Sequence, residues 1–176
     1  MRERERVRYV KFVQGRYAAL YRTAFLLTGN HHTAEDLVQT TLTKVYLSWG
    51  RVMRADRPES YVRRVLANEA ISFHRRRWTR EVPSDIPAEL ARAGVQAGPE
   101  ENVVDTQAVW QALGKLTARQ RAVVVLRYYE DLSEAEIAHV LDIAPGTVKG
   151  HARAALAALG DHLPAERTVR GTVEGP

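Results

Sequence analysis

An all-α fold in two small helical domains joined by a flexible linker is what this sequence predicts, and three observations carry the prediction. Apolar residues recur at three- and four-residue steps wherever the chain is regular, with no convincing strand alternation. Turn and cap signals cut those regular stretches into helices of ordinary length. Between residues 79 and 103 the periodicity fails: Pro83, Pro87, Gly94, Gly98 and Pro99 fall among few large apolar side chains. The expected division is therefore an N-terminal domain over 1–78, a flexible acidic linker over 79–103, a C-terminal domain over 104–163 and a polar, disordered tail over 164–176.

In the first domain, Val10, Val13, Tyr17, Leu20, Tyr21, Ala24 and Leu27 form the apolar stripe of a helix that stops at Gly29-Asn30. Thr33 with Asp36 three residues later resembles a capping box, with Asp in the place of the usual Glu or Gln. Leu37, Val38, Leu42, Val45, Tyr46 and Trp49 give a second stripe ending at Gly50. Asp56-Arg57-Pro58-Glu59 signals a third start, since proline is tolerated in the first helical turn. That helix is expected to bury Tyr61, Val62, Val65, Leu66 and Phe73 and to turn Arg63, Arg64, Asn68, His74 and Arg75 outward.

In the second domain, order resumes with Val109, Trp110, Leu113 and Leu116. Thr117 with Gln120 and Ser133 with Glu136 are two further capping boxes, each opening a short helix. Ile137, Ala138 and Leu141 face inward from Glu134–Leu141. After a tight connection at Asp142-Ile143-Ala144, Pro145-Gly146-Thr147 opens a last helix with Val148, Ala152, Ala155, Leu156 and Leu159 inside. A short helix, a tight turn and a longer helix with outward Lys149, His151 and Arg153 fit a helix-turn-helix, whose second helix enters the major groove of DNA. The three basic side chains, two residues apart, spread over an arc of about 200° at 3.6 residues per turn. Such an arc can place its middle on base edges and its flanks on phosphates.

Charge agrees with a polyanion partner. The chain carries 26 basic and 21 acidic residues, a mild net +5, but from Arg51 to Arg80 nine arginines face Asp56, Glu59 and Glu69. Six carboxylates against Arg92 then follow between Glu81 and Asp105. Nothing approaches the ~20 consecutive apolar residues of a membrane span. The charged start lacks a signal core, so a cytoplasmic location without membrane insertion is expected. With no cysteine there is no disulfide, thiolate metal site or cysteine nucleophile. His31-His32 with Glu35 and Asp36 matches no zinc spacing, and no phosphate loop or Ser/His/Asp set is recognisable. No catalytic residue, metal or cofactor is therefore expected.

The segment from Leu116 to Leu159, LTARQRAVVVLRYYEDLSEAEIAHVLDIAPGTVKGHARAALAAL, closely resembles the promoter-binding C-terminal domain of sigma-70 family factors. YRTAFLLTGNHHTAEDLVQTTLTKVYLSW and PESYVRRVLANEAISFHRRR resemble the family's N-terminal domain, in the right order. The absence of further domains points to the small extracytoplasmic-function group. The resemblance implies a factor that binds core RNA polymerase, through the clamp helices of its largest subunit and its flap, and that recognises −35 and −10 promoter elements. It also implies help in melting the −10 region, hence contact with both double- and single-stranded promoter DNA.

Carried over residue by residue, the resemblance assigns polymerase docking to Asp36, Leu37, Val38 and Gln39, with Leu37 and Val38 able to bury while Asp36 and Gln39 stay on the surface. It assigns the −10 element to Arg54, Arg63, Arg64, Asn68, Arg75, Arg76 and Arg77, with Asn68 meeting a flipped base and residues 52–56 forming its pocket loop. It assigns the −35 element to Thr147, Lys149, His151 and Arg153. Tyr61, Phe73 and Trp78 could stack on bases, but Tyr61 and Phe73 sit at core spacing. The family often has aspartate where this chain has Ser72, and usually serine at Gly150 and arginine at Ala154, so its contact set does not transfer whole. Family members can be held inactive by an anti-sigma protein that fixes the relative position of the two domains, a partner the resemblance admits. A helix-turn-helix regulator with a ligand-sensing or dimerising N-terminal domain is the alternative. Such a regulator binds duplex operator DNA alone, whereas a sigma factor needs core polymerase.

Overall fold

The computed structural model describes residues 3–54, 57–80 and 103–160, with the backbone alone at 77–80 and 103–108. Of the expected linker over 79–103, residues 79 and 80 belong to a helix that runs to Arg80 and residue 103 to one that starts at Val103; the rest of it, the expected tail over 164–176, and Ala55 and Asp56 of the expected pocket loop lie outside the described residues. The described chain is helical: α1 (Glu3–Thr28), α2 (His31–Leu47), α3 (Trp49–Val52), α4 (Pro58–Arg80), α5 (Val103–Gly114), α6 (Ala118–Val124), α7 (Glu134–Leu141) and α8 (Pro145–Gly160). No helix among the described residues is long and apolar enough to cross a membrane.

The buried face of α1 is rotated by one residue from the expected stripe over its first half. Val10 and Tyr17 are exposed and Tyr9 and Phe12 pack inward in their place, while Val13 faces the core as expected. The anchor is aromatic. Tyr9 stands edge-on to Tyr46 and Trp49 at 5.1 and 5.2 Å between ring centroids, and its hydroxyl donates to the Leu42 carbonyl at 2.9 Å. Leu20, Ala24 and Leu27 are buried as the pattern requires. The helix ends at Gly29, whose φ of 73° lies in the left-handed region that favours glycine.

The start of α2 corrects the capping assignment. Asn30, not Thr33, is the N-cap: its side chain accepts from the Thr33 amide at 2.9 Å. Asp36 therefore plays no part in the cap. The helix breaks at Ser48, and Trp49 and Val52 are buried from the single turn of α3. In α4, Val62, Leu66, Ala67 and Ala70 are buried, while Tyr61, Val65 and Phe73 are only half-buried.

Both capping boxes of the second domain form, with Thr117 and Gln120 and with Ser133 and Glu136 bonding reciprocally. Bonds from the Ser133 hydroxyl and amide hold the Glu136 carboxyl below its ordinary pKa, with Arg57 and Arg63 adding to the effect. The cap's contribution is thus complete above the ordinary glutamate pKa and is lost as pH falls through the lowered folded value. After α6 the helix widens into a π turn over Val125–Tyr129, where Glu130 donates its amide to the Val125 carbonyl at 3.1 Å. Asp142, at φ 55°, takes the left-handed position that ends α7 and turns the chain into α8. In α8, Val148, Ala152 and Ala155 are buried, but Leu156, expected inside, is 48% exposed.

The two domains pack against each other and their buried residues form one continuous core. Phe25 of α1 meets Trp110 of α5 edge-on at 4.9 Å. Arg121 of α6 is 4% exposed and lies 5.9 Å over the Trp110 ring. Its Nε donates to the Leu26 carbonyl at 2.7 Å, near the C-terminus of α1, where no local basic side chain stands. Burial lowers the Arg121 pKa to about 10, so the guanidinium stays charged at neutral pH.

Asn30→Ala should lower stability by about 1 kcal/mol, the usual cost of losing an N-cap, and Thr33→Ala should leave the cap intact. Denaturant melts of the two variants distinguish these outcomes.

Candidate nucleic-acid interface

One basic surface is built on α4. Arg64, Asn68 and Arg75, at steps of four and seven, fall on one side of this helix, which Pro58 opens and the buried residues Val62, Leu66 and Ala70 hold against α1 and α2. Lys44 of α2 pairs with Glu69, and Arg16 of α1 pairs with Glu59, which fixes the rotation of α4 about its axis. Asn68 is half-buried, and Arg75 and Arg76 are exposed. Arg54 is exposed in the turn after α3. Arg77 belongs to α4, and its side chain lies outside the described residues.

Arg63 and Arg64 are only partly open to solvent, less than the helical pattern suggests. Arg63 Nε donates to Glu130 at 2.7 Å, and Arg64 lies 3.5 Å from Asp142. Arg57, just before α4, lies 3.3 Å from Glu136. All three carboxylates belong to the second domain. Thr23 of α1 also donates its hydroxyl to Glu130, so that carboxylate bridges α1 and α4. Arg22 adds a 3.1 Å bond to the Tyr129 hydroxyl.

The second basic surface is α8. Thr147, Lys149 and Arg153 are exposed and His151 is half-buried. Lys149 leans back to within 3.6 Å of Glu134 at the start of α7, a pair loose enough to be displaced. Gly150 has open space around its missing side chain, so the serine usual in the family would meet no obstacle.

The docking motif divides in two. Leu37, 6% exposed, and Val38, fully buried, face the core, as their apolar side chains were expected to. Asp36, with 68% of its side chain exposed, and Gln39 are what α2 presents. Its neighbour there is His32, 3.8 Å away.

Sequence patterns missed the acidic side of the domain junction. Glu130, Glu136 and Asp142 fall at a π turn, a capping box and a helix end, so each had a local explanation. Arg121 was missed because a charged residue within a helix reads as solvated.

Family models agree with this two-part architecture: that for Sigma-70 region 2 matches residues 12–80, and that for Sigma-70, region 4 matches residues 106–159. The RNA polymerase sigma-E factor of Streptomyces avermitilis is 34% identical over 159 residues, covering 90% of this chain and 87% of that protein. The ECF RNA polymerase sigma factor SigL of Mycobacterium tuberculosis is 34% identical over 145 residues, covering 81% of each. This chain belongs to the sigma-70 family, in its extracytoplasmic-function group. Among solved structures, the sigma factor RpoE in complex with the anti-sigma factor NepR from Bartonella quintana superposes with a TM-score of 0.71 at 25% identity, covering 90% of this chain and 98% of that one. The PhyRSL–NepR complex from Sphingomonas sp. Fr1 shares the fold, with a TM-score of 0.59 at 16% identity, covering 93% and 94% of the two chains. As a sigma factor the protein binds core RNA polymerase and directs promoter-specific transcription initiation.

The two halves of the docking motif should separate in a stability assay. Leu37→Ala should cost about 2–5 kcal/mol through cavity formation. Asp36→Ala and Gln39→Ala should each stay within about 0.5 kcal/mol of the parent, as exposed substitutions do. Urea unfolding of the three variants provides the comparison.

Proposed function

We propose that the sigma factor divides its work between a polymerase- and −10-binding domain over 1–78 and a −35-binding domain over 104–163, with Asp36 and Gln39 docking on the clamp helices. The observation that carries this reading is the side of α4 on which Arg64, Asn68 and Arg75 gather, with Arg76 beside them. One helix so equipped can track a strand backbone with its arginines while Asn68 offers a donor and an acceptor to an unpaired base. In the same reading Arg54, Arg63 and Arg77 also serve the −10 strand.

In the second domain, α8 is the reading helix. Its buried side, Val148, Ala152 and Ala155, locks it to the domain and leaves Thr147, Lys149 and Arg153 to meet the major groove, with His151 between the last two. Lys149 and Arg153 supply phosphate contacts, and His151 approaches base edges. The factor performs no covalent chemistry: positioning polymerase and stabilising unpaired DNA need only binding energy. It acts in the cytoplasm, where core polymerase works. The likeness to a Bartonella sigma factor solved with its anti-sigma factor supports an anti-sigma partner here as well.

Run-off transcription with core polymerase on genomic fragments tests the whole reading. Transcripts starting at defined promoters are expected only when both proteins are present, and operator-like duplex binding without polymerase dependence would contradict it. Two variants then test the assignment of roles. Asp36→Arg should weaken core binding by ~2–5 kcal/mol, as losing one partner of a desolvated pair does, with an unchanged circular dichroism melt. Asn68→Ala should reduce permanganate reactivity of the −10 region without altering −35 binding, since its partner exists only after unpairing. Wild-type opening by that variant would remove Asn68 from the site.

A further inference from the structure

The pairs between the domains have a direction that an ordinary packing interface does not require. Among the described residues, three ion pairs cross the junction with an arginine of the first domain against a carboxylate of the second: Arg57 with Glu136, Arg63 with Glu130 and Arg64 with Asp142. Arg63 and Arg64 are among the side chains assigned above to the −10 strand. A carboxylate and a phosphate offer guanidinium the same arrangement of acceptor oxygens, so one can occupy the other's place.

Beside these pairs lies a cleft of about 920 Å³. Met53, Tyr61 and Arg64 stand on its first-domain wall, and Ala135, His139 and Val140 of α7 stand on the other. The cleft opens on the turn before α4, where the assigned base pocket would lie. Thus α7, the first helix of the helix-turn-helix, sits over the part of α4 that a single strand would have to reach.

We propose that Glu130, Glu136 and Asp142 stand in for DNA phosphates in the free sigma factor, holding the second domain over the −10 face and keeping single-stranded DNA off it until the domains part. The inference rests on the reading of α4 as the −10 surface and adds to it a competitor built into the same chain. The lock is made to open. Two of its ion pairs, Arg57–Glu136 and Arg64–Asp142, sit at the rim, where solvent and salt weaken them. The buried Arg121 bolt leaves its Nη2 without a hydrogen-bond partner, a cost that exposure to water on opening removes.

The test uses the full chain with Glu130→Gln, Glu136→Gln and Asp142→Asn combined. Gln at 136 keeps the capping box and Asn at 142 tolerates the left-handed conformation, so the charges go while the turns stay. Because the chain has no cysteine, Gln14→Cys and Ala157→Cys, both at exposed positions, give two labelling sites for an interdomain distance. The neutralised variant should show a longer, broader distance distribution. It should also bind a labelled, mixed-sequence single-stranded oligonucleotide at low salt at least about fivefold more tightly than the parent, a gain that Arg63→Gln with Arg64→Gln abolishes. The protein with the two labels and its carboxylates intact supplies a second measurement free of folding artefacts: its label distance should lengthen as salt is raised, while that of the neutralised variant should not.

A label distance that neither neutralisation nor salt changes, together with unchanged oligonucleotide affinity, would overturn the lock. In that event, loss of promoter opening by the Arg63→Gln, Arg64→Gln protein in holoenzyme would show that the −10 assignment survives alone. Opening without any gain in oligonucleotide affinity would overturn the masking and the −10 assignment together, because the freed arginines would then have no affinity for the strand.

Discussion

The last turn of α1 leaves carbonyls that the helix cannot satisfy from within, and the chain meets that constraint from two distant places. Phe25 receives the Gly29 amide at 2.7 Å. Leu26 accepts from Arg121 of the second domain at 2.7 Å, and the Leu27 carbonyl lies 3.0 Å from the His74 ring of α4. A guanidinium at a helix C-terminus also complements the helix dipole, and α1 carries no basic residue of its own in that turn. The end of α1 is therefore the point through which α4 and the second domain are referred to one another. Trp110 packs on Phe25 beside it, and Glu130 reaches Thr23 and Arg63 from the adjoining π turn. Once Arg121 is seated, the acidic ends of the π turn and α7 lie opposite the arginines of α4.

The magnitudes separate what holds this junction from what orients it. Burying a large apolar side chain contributes ~1.5–3 kcal/mol, though part of the burial of Phe25 and Trp110 lies within their own domains. Exposed ion pairs contribute ~0.2–1 kcal/mol each. Arg121 is charged and buried, so its hydrogen bond and ring contact offset a desolvation cost and give little net gain. The apolar contacts thus supply most of the adhesion, and the arginine–carboxylate pairs set register and identify the competing ligand. A junction of this strength is compatible with a protein whose function requires both of its DNA-facing helices to be available.

Much of the fold was legible because helix boundaries carry local chemistry. The two capping boxes at Thr117 and Ser133, the stop at Gly29 and the helix-turn-helix spacing are all within a few residues of their causes. Errors arose where a tertiary contact outweighed a local signal. The stripe of α1 was misplaced because Tyr9, not Val10, finds an aromatic pocket between Tyr46 and Trp49. Thr33 was read as a cap because Asn30 had already been used as a turn residue. Leu156 fits the inner face of α8 by spacing, yet the face that packs is centred on Val148, Ala152 and Ala155 and leaves it half exposed, although Leu159 beyond it still meets the core. Of the candidate site, the basic side of α4 was readable from residue types alone. Its occupation by Glu130 and Asp142 was not, since each pair joins residues more than sixty positions apart.

A double-mutant cycle on Arg63 and Glu130 in the free, full-length chain measures the central contact most directly. Both side chains are less than a third exposed, and the pair has a 2.7 Å bond. Stability of the parent, Arg63→Gln, Glu130→Gln and the double variant should yield a coupling energy of about 1 kcal/mol, because each single change strands the other charge. Additivity within about 0.3 kcal/mol would mean that the two residues do not meet in solution, and that the second domain does not rest on α4 in the free sigma factor.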